Sequence, residues 1–420
     1  MLTHNNVIDF LGDSCAFLKS SLPPTEYNWS GHIIERYPNG YQIISSSRPD
    51  FNTFFVSLNI KDGIPFLKPY ALLLQNDTRY VRLKDKVKGG DSLGHWWHPN
   101  SLLINLLSDY LKEVNTIELS TLTANELSNH FLDSLNSETT TYCVFAPLRG
   151  LSALPFSIKF EPDLQMRSLS DTEICSIMED YRQDCWSPDF PGSTCIAELE
   201  FSAPVWQGVR DVSEAKQKFE NILNSLRILK DTGVISKTIY TRRKHRGSIN
   251  YGYGGGWSGD PGRHFLPNHA CVIEEGEVND LLRYYRSFTK GNLPGTLKRS
   301  LRRLNFAIER DLPEDKLVDS IVALEVLYGD GSGAIGYKIA LRASVFLEDE
   351  FDARRSINDF INNSYKIRSA VIHGKGSIPP NHPVERLISL SRRSIRKSID
   401  LFIQDNIAFD SNAFDDLLLQ

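Results

Sequence analysis

The chain has 420 residues, 41% of them hydrophobic and 24% charged, and a formal net charge of −5. That is the make-up of an ordinary soluble protein with material for two or three domains. It excludes a membrane span, because no run approaches the ~18 uninterrupted apolar residues needed. The opening MLTHNNVIDFLGDSC also lacks the basic and apolar regions of a secretion signal, so the expected location is cytoplasmic, with no membrane partner.

Across 1–210 the pattern is mixed α and β. GYQIISSS, NTFFVSLNI and TTYCVFAPL read as strands, and SLLINLLSDYLKEV and TANELSNHFLDSL as helices. Asn100 or Ser101 is the candidate cap of the first helix, and Thr123 of the second. Pro155, Pro162, Pro188, Pro191 and Pro204 then punctuate the chain, and CIAELEFSAP reads as a further strand. In GHWWHPN, His95 and His98 lie three apart without a carboxylate or thiolate at a fixed spacing, which favours aromatic packing over a metal site. The six cysteines, Cys15, Cys143, Cys175, Cys185, Cys195 and Cys271, include no C-x-x-C pair and suit reduced, buried thiols. Neither a metal nor a cofactor is expected.

A connecting region follows at 211–277. Ser213 to Asp231 predicts a helix with Phe219, Ile222, Leu223, Leu226 and Leu229 on one stripe, broken at Gly233. The strand-like VISKTIY leads to a basic cluster, Arg242, Arg243, Lys244 and Arg246, and then to Tyr251, Tyr253 and Trp257 among glycines. Cations that hold a phosphate backbone and aromatics that stack on bases are the ingredients of single-stranded RNA binding. The alternative is a solvated loop whose aromatics pack back on the protein. No G-x-x-x-x-G-K-[ST] phosphate loop is present.

Charge separates the C-terminal part from the rest. Leu281 to Asp400 carries 21 Lys and Arg against 14 Asp and Glu, whereas the preceding 280 residues carry 26 against 34. A basic unit on an acidic protein suits a polyanionic partner. Helices are expected at about 278–290, 294–310, 313–328, 334–347, 352–373 and 383–405, with Pro294, Pro313 and Pro383 at helix starts. The fold class is therefore α+β: a mixed N-terminal region, the connecting region, an all-helical unit at 278–405 and an acidic tail at 406–420. Glu325, inside an apolar helix, needs a cation, and Arg342 and Arg368 are the candidates.

Within YKIRSAVIHGK, Arg368 and His373 stand five residues apart before Gly374. Arginine brings a permanent charge with five donors, and histidine titrates near neutral pH. At roughly 100° per residue the two side chains lie about 140° apart on one helix. They flank a seam that a second copy, related by a two-fold axis, would complete.

The blocks ALEVLY (Ala323 to Tyr328), KIALRAS (Lys338 to Ser344) and YKIRSAVIHG (Tyr365 to Gly374), in this order, resemble the HEPN domain of the ApeA-like kind. The resemblance covers about the last third of the chain. It implies an all-helical, homodimeric, metal-independent endoribonuclease of bacterial anti-phage defence or toxin type, acting on RNA through Arg368 and His373. Glu325, Arg342 and Ser369 would be supporting residues, and Ser369 stands where many catalytic members carry Asn, Asp or His. The N-terminal region would sense a trigger, phage-derived or other. The alternative is a non-catalytic RNA-binding or dimerisation module.

Overall fold

The run TTTYCVFAP alternates between two faces that both need burial, and it forms an inner strand of an antiparallel sheet. The computed structural model describes residues 1–21, 33–37, 40–45, 67–87, 98–114, 117–171, 173–174, 177, 195–205, 212–236, 238–249, 257–258, 271–290, 293–329, 333–405 and 414. NTFFVSLNI, His95, Tyr251, Tyr253, Cys175, Cys185 and all of the acidic tail but Phe414 lie outside them. The fold is α+β. Two compact units divide it: one of 1–147, 155–216 and 237–261, and one of 148–154, 217–236 and 262–420. No helix among the described residues is long and apolar enough to cross a membrane.

In the first unit, β1 (Ile33–Tyr37) and β2 (Gly40–Ser45) form a two-stranded ladder. A six-stranded sheet runs in the order β4-β5-β6-β3-β7-β8, from β3 (Thr139–Pro147), β4 (Ile158–Glu161), β5 (Leu164–Ser168), β6 (Cys195–Pro204), β7 (Ile239–Arg243) and β8 (Trp257–Ser258). Register gives its faces different characters, since directly opposite residues share a face. Phe145 lies opposite Glu198 and Tyr240, and Glu198 opposite Gln165. On that face the Glu198 carboxylate, 2% exposed, accepts from Arg167 Nε at 2.8 Å and Gln165 Nε2 at 3.0 Å. The other face carries Tyr142, Val144 and Leu199, all buried.

Among the described residues of this unit the helices are α1 (His4–Ser21), α2 (Leu67–Gln75), α3 (Thr78–Val87), α4 (Pro99–Val114) and α5 (Thr121–Ser137). Their apolar stripes, such as Val7, Phe10, Leu11 and Leu18 on α1 and Leu103, Leu106, Leu107 and Tyr110 on α4, share one core. The expected caps are corrected. Ser120, not Thr123, caps α5 by accepting the Thr123 N–H. His98 precedes α4, its carbonyl taking the Leu102 N–H and its Nδ1 facing the Asn100 N–H at 3.4 Å. Asp77 caps α3 from a fully buried position, accepting from the Arg79 and Leu2 amides at 2.9 and 2.8 Å.

The helix α6 (Ser213–Leu229) runs from the first unit's residues into the second's. Among its described residues the second unit also has the helices α7 (Val278–Thr289), α8 (Gly295–Glu309), α9 (Pro313–Tyr328), α10 (Ile335–Leu347), α11 (Phe351–Ile372) and α12 (Val384–Asp405). Each lies within a residue or so of its expected span. Pro313 occupies the first turn of α9, where a missing N–H leaves no bond unmade. Leu317, Ile321, Leu324 and Leu327 bury one side of α9, while Val318, Val322 and Glu325 follow a half-buried stripe. In the second turn of α9 the 4%-exposed Asp319 is held by Arg303 at 3.0 Å and Arg310 at 3.1 Å.

Candidate functional site

The end of α11 is built by its glycine. Gly374 has φ of +63°, its N–H donates to the Val371 carbonyl, and the Lys375 N–H donates to the Ala370 carbonyl at 2.8 Å. These two bonds make a Schellman ending, with His373 as the last half-helical residue and its N–H on the Ser369 carbonyl. His373 is exposed there, and Ser369 is half-buried one turn back.

Arg368, one turn and a half before that end, is held from two sides. Its Nη2 lies 3.6 Å from the Glu325 carboxylate, both side chains being about one-fifth exposed. Its Cζ stands 5.8 Å from the centre of the Tyr365 ring, within reach of a cation–π attraction. Burial, and next the Glu325 charge, push the Tyr365 phenol above its ordinary pKa. Beneath the ring lies Gly336 of α10, where an added Cβ would sit 2.7 Å from Tyr365 Cδ1. Arg368 Nε is buried with no hydrogen-bond partner among the described residues.

Of the two candidate cations for Glu325, the neighbour is therefore Arg368. Arg342 is 3% exposed and donates through Nη1 to the Tyr328 carbonyl at 2.6 Å, which satisfies the end of α9. Glu325, Arg368 and the unforeseen Tyr365 and Gly336 thus form one cluster. The sequence signal for Tyr365 was its i,i+3 spacing from Arg368. Gly336, the second residue of a helix that needs no glycine for its own sake, was the other signal.

The basic cluster is in the first unit. Arg242 and Arg243 end β7, so the strand extends beyond VISKTIY. Arg243 Nη2 donates to Asp109 at 2.9 Å, Lys244 pairs with Glu200, and Arg246 lies 3.4 Å from Glu113. Arg242 rests its guanidinium 5.7 Å above the Phe145 ring. Gly247, with φ of +82°, lets the segment approach α5 so closely that a Cβ would meet the Leu127 carbonyl oxygen at 2.8 Å. Its N–H donates to Asp109 at 2.9 Å. Trp257 begins β8 opposite Tyr240.

Here too is a pair the sequence did not suggest: His130 and His245, with ring centres 4.6 Å apart. His130 Nδ1 faces the Arg246 carbonyl at 3.1 Å. Burial, followed by His130 and Lys244, holds His245 below the ordinary histidine pKa. Among the described residues no three His, Cys, Asp or Glu side chains converge as metal ligands. Cys15 and Cys143 are buried, which drives their thiols up to about 11 and about 12 and leaves them poor nucleophiles.

Compared with protein-family models, curated proteins and solved structures, the chain has no significant match in any of the three.

Proposed function

We propose that the second unit is a metal-independent endoribonuclease of the HEPN kind, working as a homodimer in an anti-phage or toxin role. The reading rests on the three sequence blocks and on one structural observation, the Arg368 guanidinium held beside Glu325 and Tyr365 on the helix whose exposed end carries His373. The basic balance of this unit suits an RNA partner.

In the proposed reaction the ribose 2′-oxygen attacks the adjacent phosphorus, and the bond to the 5′-oxygen breaks. The products are a 2′,3′-cyclic phosphate and a 5′-hydroxyl. His373 moves a proton at the 2′-oxygen or at the leaving oxygen. Arg368 donates to the non-bridging oxygens as charge builds on them, and its planar fork grips two at once. Glu325 fixes the orientation of that fork.

The basic segment of the first unit is the proposed second RNA contact, through Arg242, Lys244 and the aromatics at 251, 253 and 257. Arg243, Lys244 and Arg246 would act there from within their carboxylate pairs. Purified protein incubated with RNA in EDTA tests the activity: cleavage by the wild type, lost in His373→Ala, supports it. Equal cleavage by both rejects it.

A further inference from the structure

We propose that Tyr365 is the positioning residue for Arg368, with its ring seated on Gly336 and its face carrying the guanidinium. The inference rests on the reading of Arg368 as the phosphate-binding group of the site. Three contacts carry it. The ring lies so near Gly336 that an added Cβ would overlap Cδ1 and Cγ, at 2.7 and 2.9 Å. The guanidinium carbon lies 5.8 Å from the ring centre. Glu325, one turn before the end of α9, meets the guanidinium at Nη2, 3.6 Å away.

Each contact removes a different freedom. A long arginine side chain loses little entropy per bond when its fork is planar and pre-aimed, but the stem must still be fixed. The ring under the guanidinium fixes the plane in which the fork lies. The carboxylate at Nη2 fixes its rotation within that plane. The absent Cβ at residue 336 fixes the ring, since the tyrosine is confined against helix backbone and cannot swing towards α10. Two elements besides the motif helix therefore determine where Arg368 points, which is why R-x4-H alone is an incomplete description of the site.

The consequence is a division of labour that substitution can read. Tyr365→Phe keeps the ring and loses only the phenol, while Tyr365→Leu loses the planar face. The test uses the full chain with 15N-labelled arginine, following the Arg368 Nε–H resonance, which is assigned by its disappearance in Arg368→Lys. An ordered Arg368 signal is expected in the wild type and in Tyr365→Phe, and a disordered one in Tyr365→Leu and Gly336→Ala. In parallel, RNA cleavage should fall about tenfold in kcat with KM within about twofold for Tyr365→Leu, and stay within about twofold for Tyr365→Phe. An Arg368 signal as ordered in Tyr365→Leu as in the wild type overturns the proposal, whatever cleavage shows. A wild type that cuts no RNA refutes the reading of the site instead, and the resonance still decides whether Tyr365 positions Arg368.

Discussion

Removing the Asp109 carboxylate should unclamp the basic segment. Asp109 is 5% exposed and serves two donors from one turn of chain, Arg243 Nη2 and the Gly247 N–H, each at 2.9 Å. In Asp109→Ala the charge-assisted bond to Arg243 is lost, about 1.5–3 kcal/mol, and the buried Gly247 amide is left without an acceptor, about 1–3 kcal/mol. Because the Arg243 side chain keeps 19% exposure, water recovers part of the first term, and a total of about 3 kcal/mol is expected. Asp109→Asn retains one acceptor and should cost about half as much. Urea unfolding gives the total, and amide exchange gives its location: protection should fall at Gly247 and at Ile249, whose N–H is held by Ser134 Oγ at 3.2 Å. A loss under ~1 kcal/mol in Asp109→Ala, with Gly247 still protected, would place this pair among the weak surface ion pairs and refute the reasoning.

Three further outcomes follow from other contacts. For Asp77, burial alone would raise the carboxyl, but the Arg79 guanidinium and the Leu2 and Arg79 amides outweigh it and hold the pKa at about 2, below the ordinary 3.8. Its contribution is present above ~4 and lost as pH falls towards 2, up to about 2 kcal/mol, so acid unfolding of Asp77→Asn should lack that slope and an identical slope would refute it. His245, held low by burial and by His130, should titrate at higher pH in His130→Gln, and an unchanged NMR titration would show that the ring pair does not couple. Gly374→Ala meets no neighbouring atom within 4 Å, so its cost comes from φ of +63° alone, ~1 kcal/mol, and should appear as faster exchange at the Lys375 amide. Unaltered exchange there would mean that the helix end is not set by this residue.

The second unit was legible because its local signals agree with its packing. Long amphipathic periods were bracketed by Pro294, Pro313, Pro383 and Gly374, and helices of 12 to 22 residues leave little room for error in their ends. The first unit offered shorter evidence. Leu67–Gln75 and Thr78–Val87 are nine and ten residues long, separated only by Asn76 and the cap Asp77, and their stripes are too brief to separate from loop by periodicity. The cap of α5 was misplaced by three residues because Ser120 and Thr123 are both good capping types, and only the bond to the Thr123 N–H decides between them. At the candidate site, Arg368, Glu325 and His373 were visible as residue types and spacings. What could not be read was partner choice: Glu325 had two arginines within reach of a helical wheel, and tertiary packing sent Arg342 to the Tyr328 carbonyl. The four cations at 242–246 looked alike as a string, yet three of them meet carboxylates from elements as distant in sequence as Asp109. No local pattern encodes such long-range pairing.

The central claim is that Arg368 and His373 cut RNA, and the most direct measurement compares the RNA ends left by the wild type, Arg368→Ala and His373→Ala. Purified under identical conditions and incubated in EDTA, the wild type should leave 2′,3′-cyclic phosphate and 5′-hydroxyl ends, with both variants folded as judged by circular dichroism but silent. Arg368→Lys should also lose most activity, since lysine keeps the charge without the fork. Cleavage at the wild-type rate by both alanine variants would make the motif structural and contradict the nuclease reading.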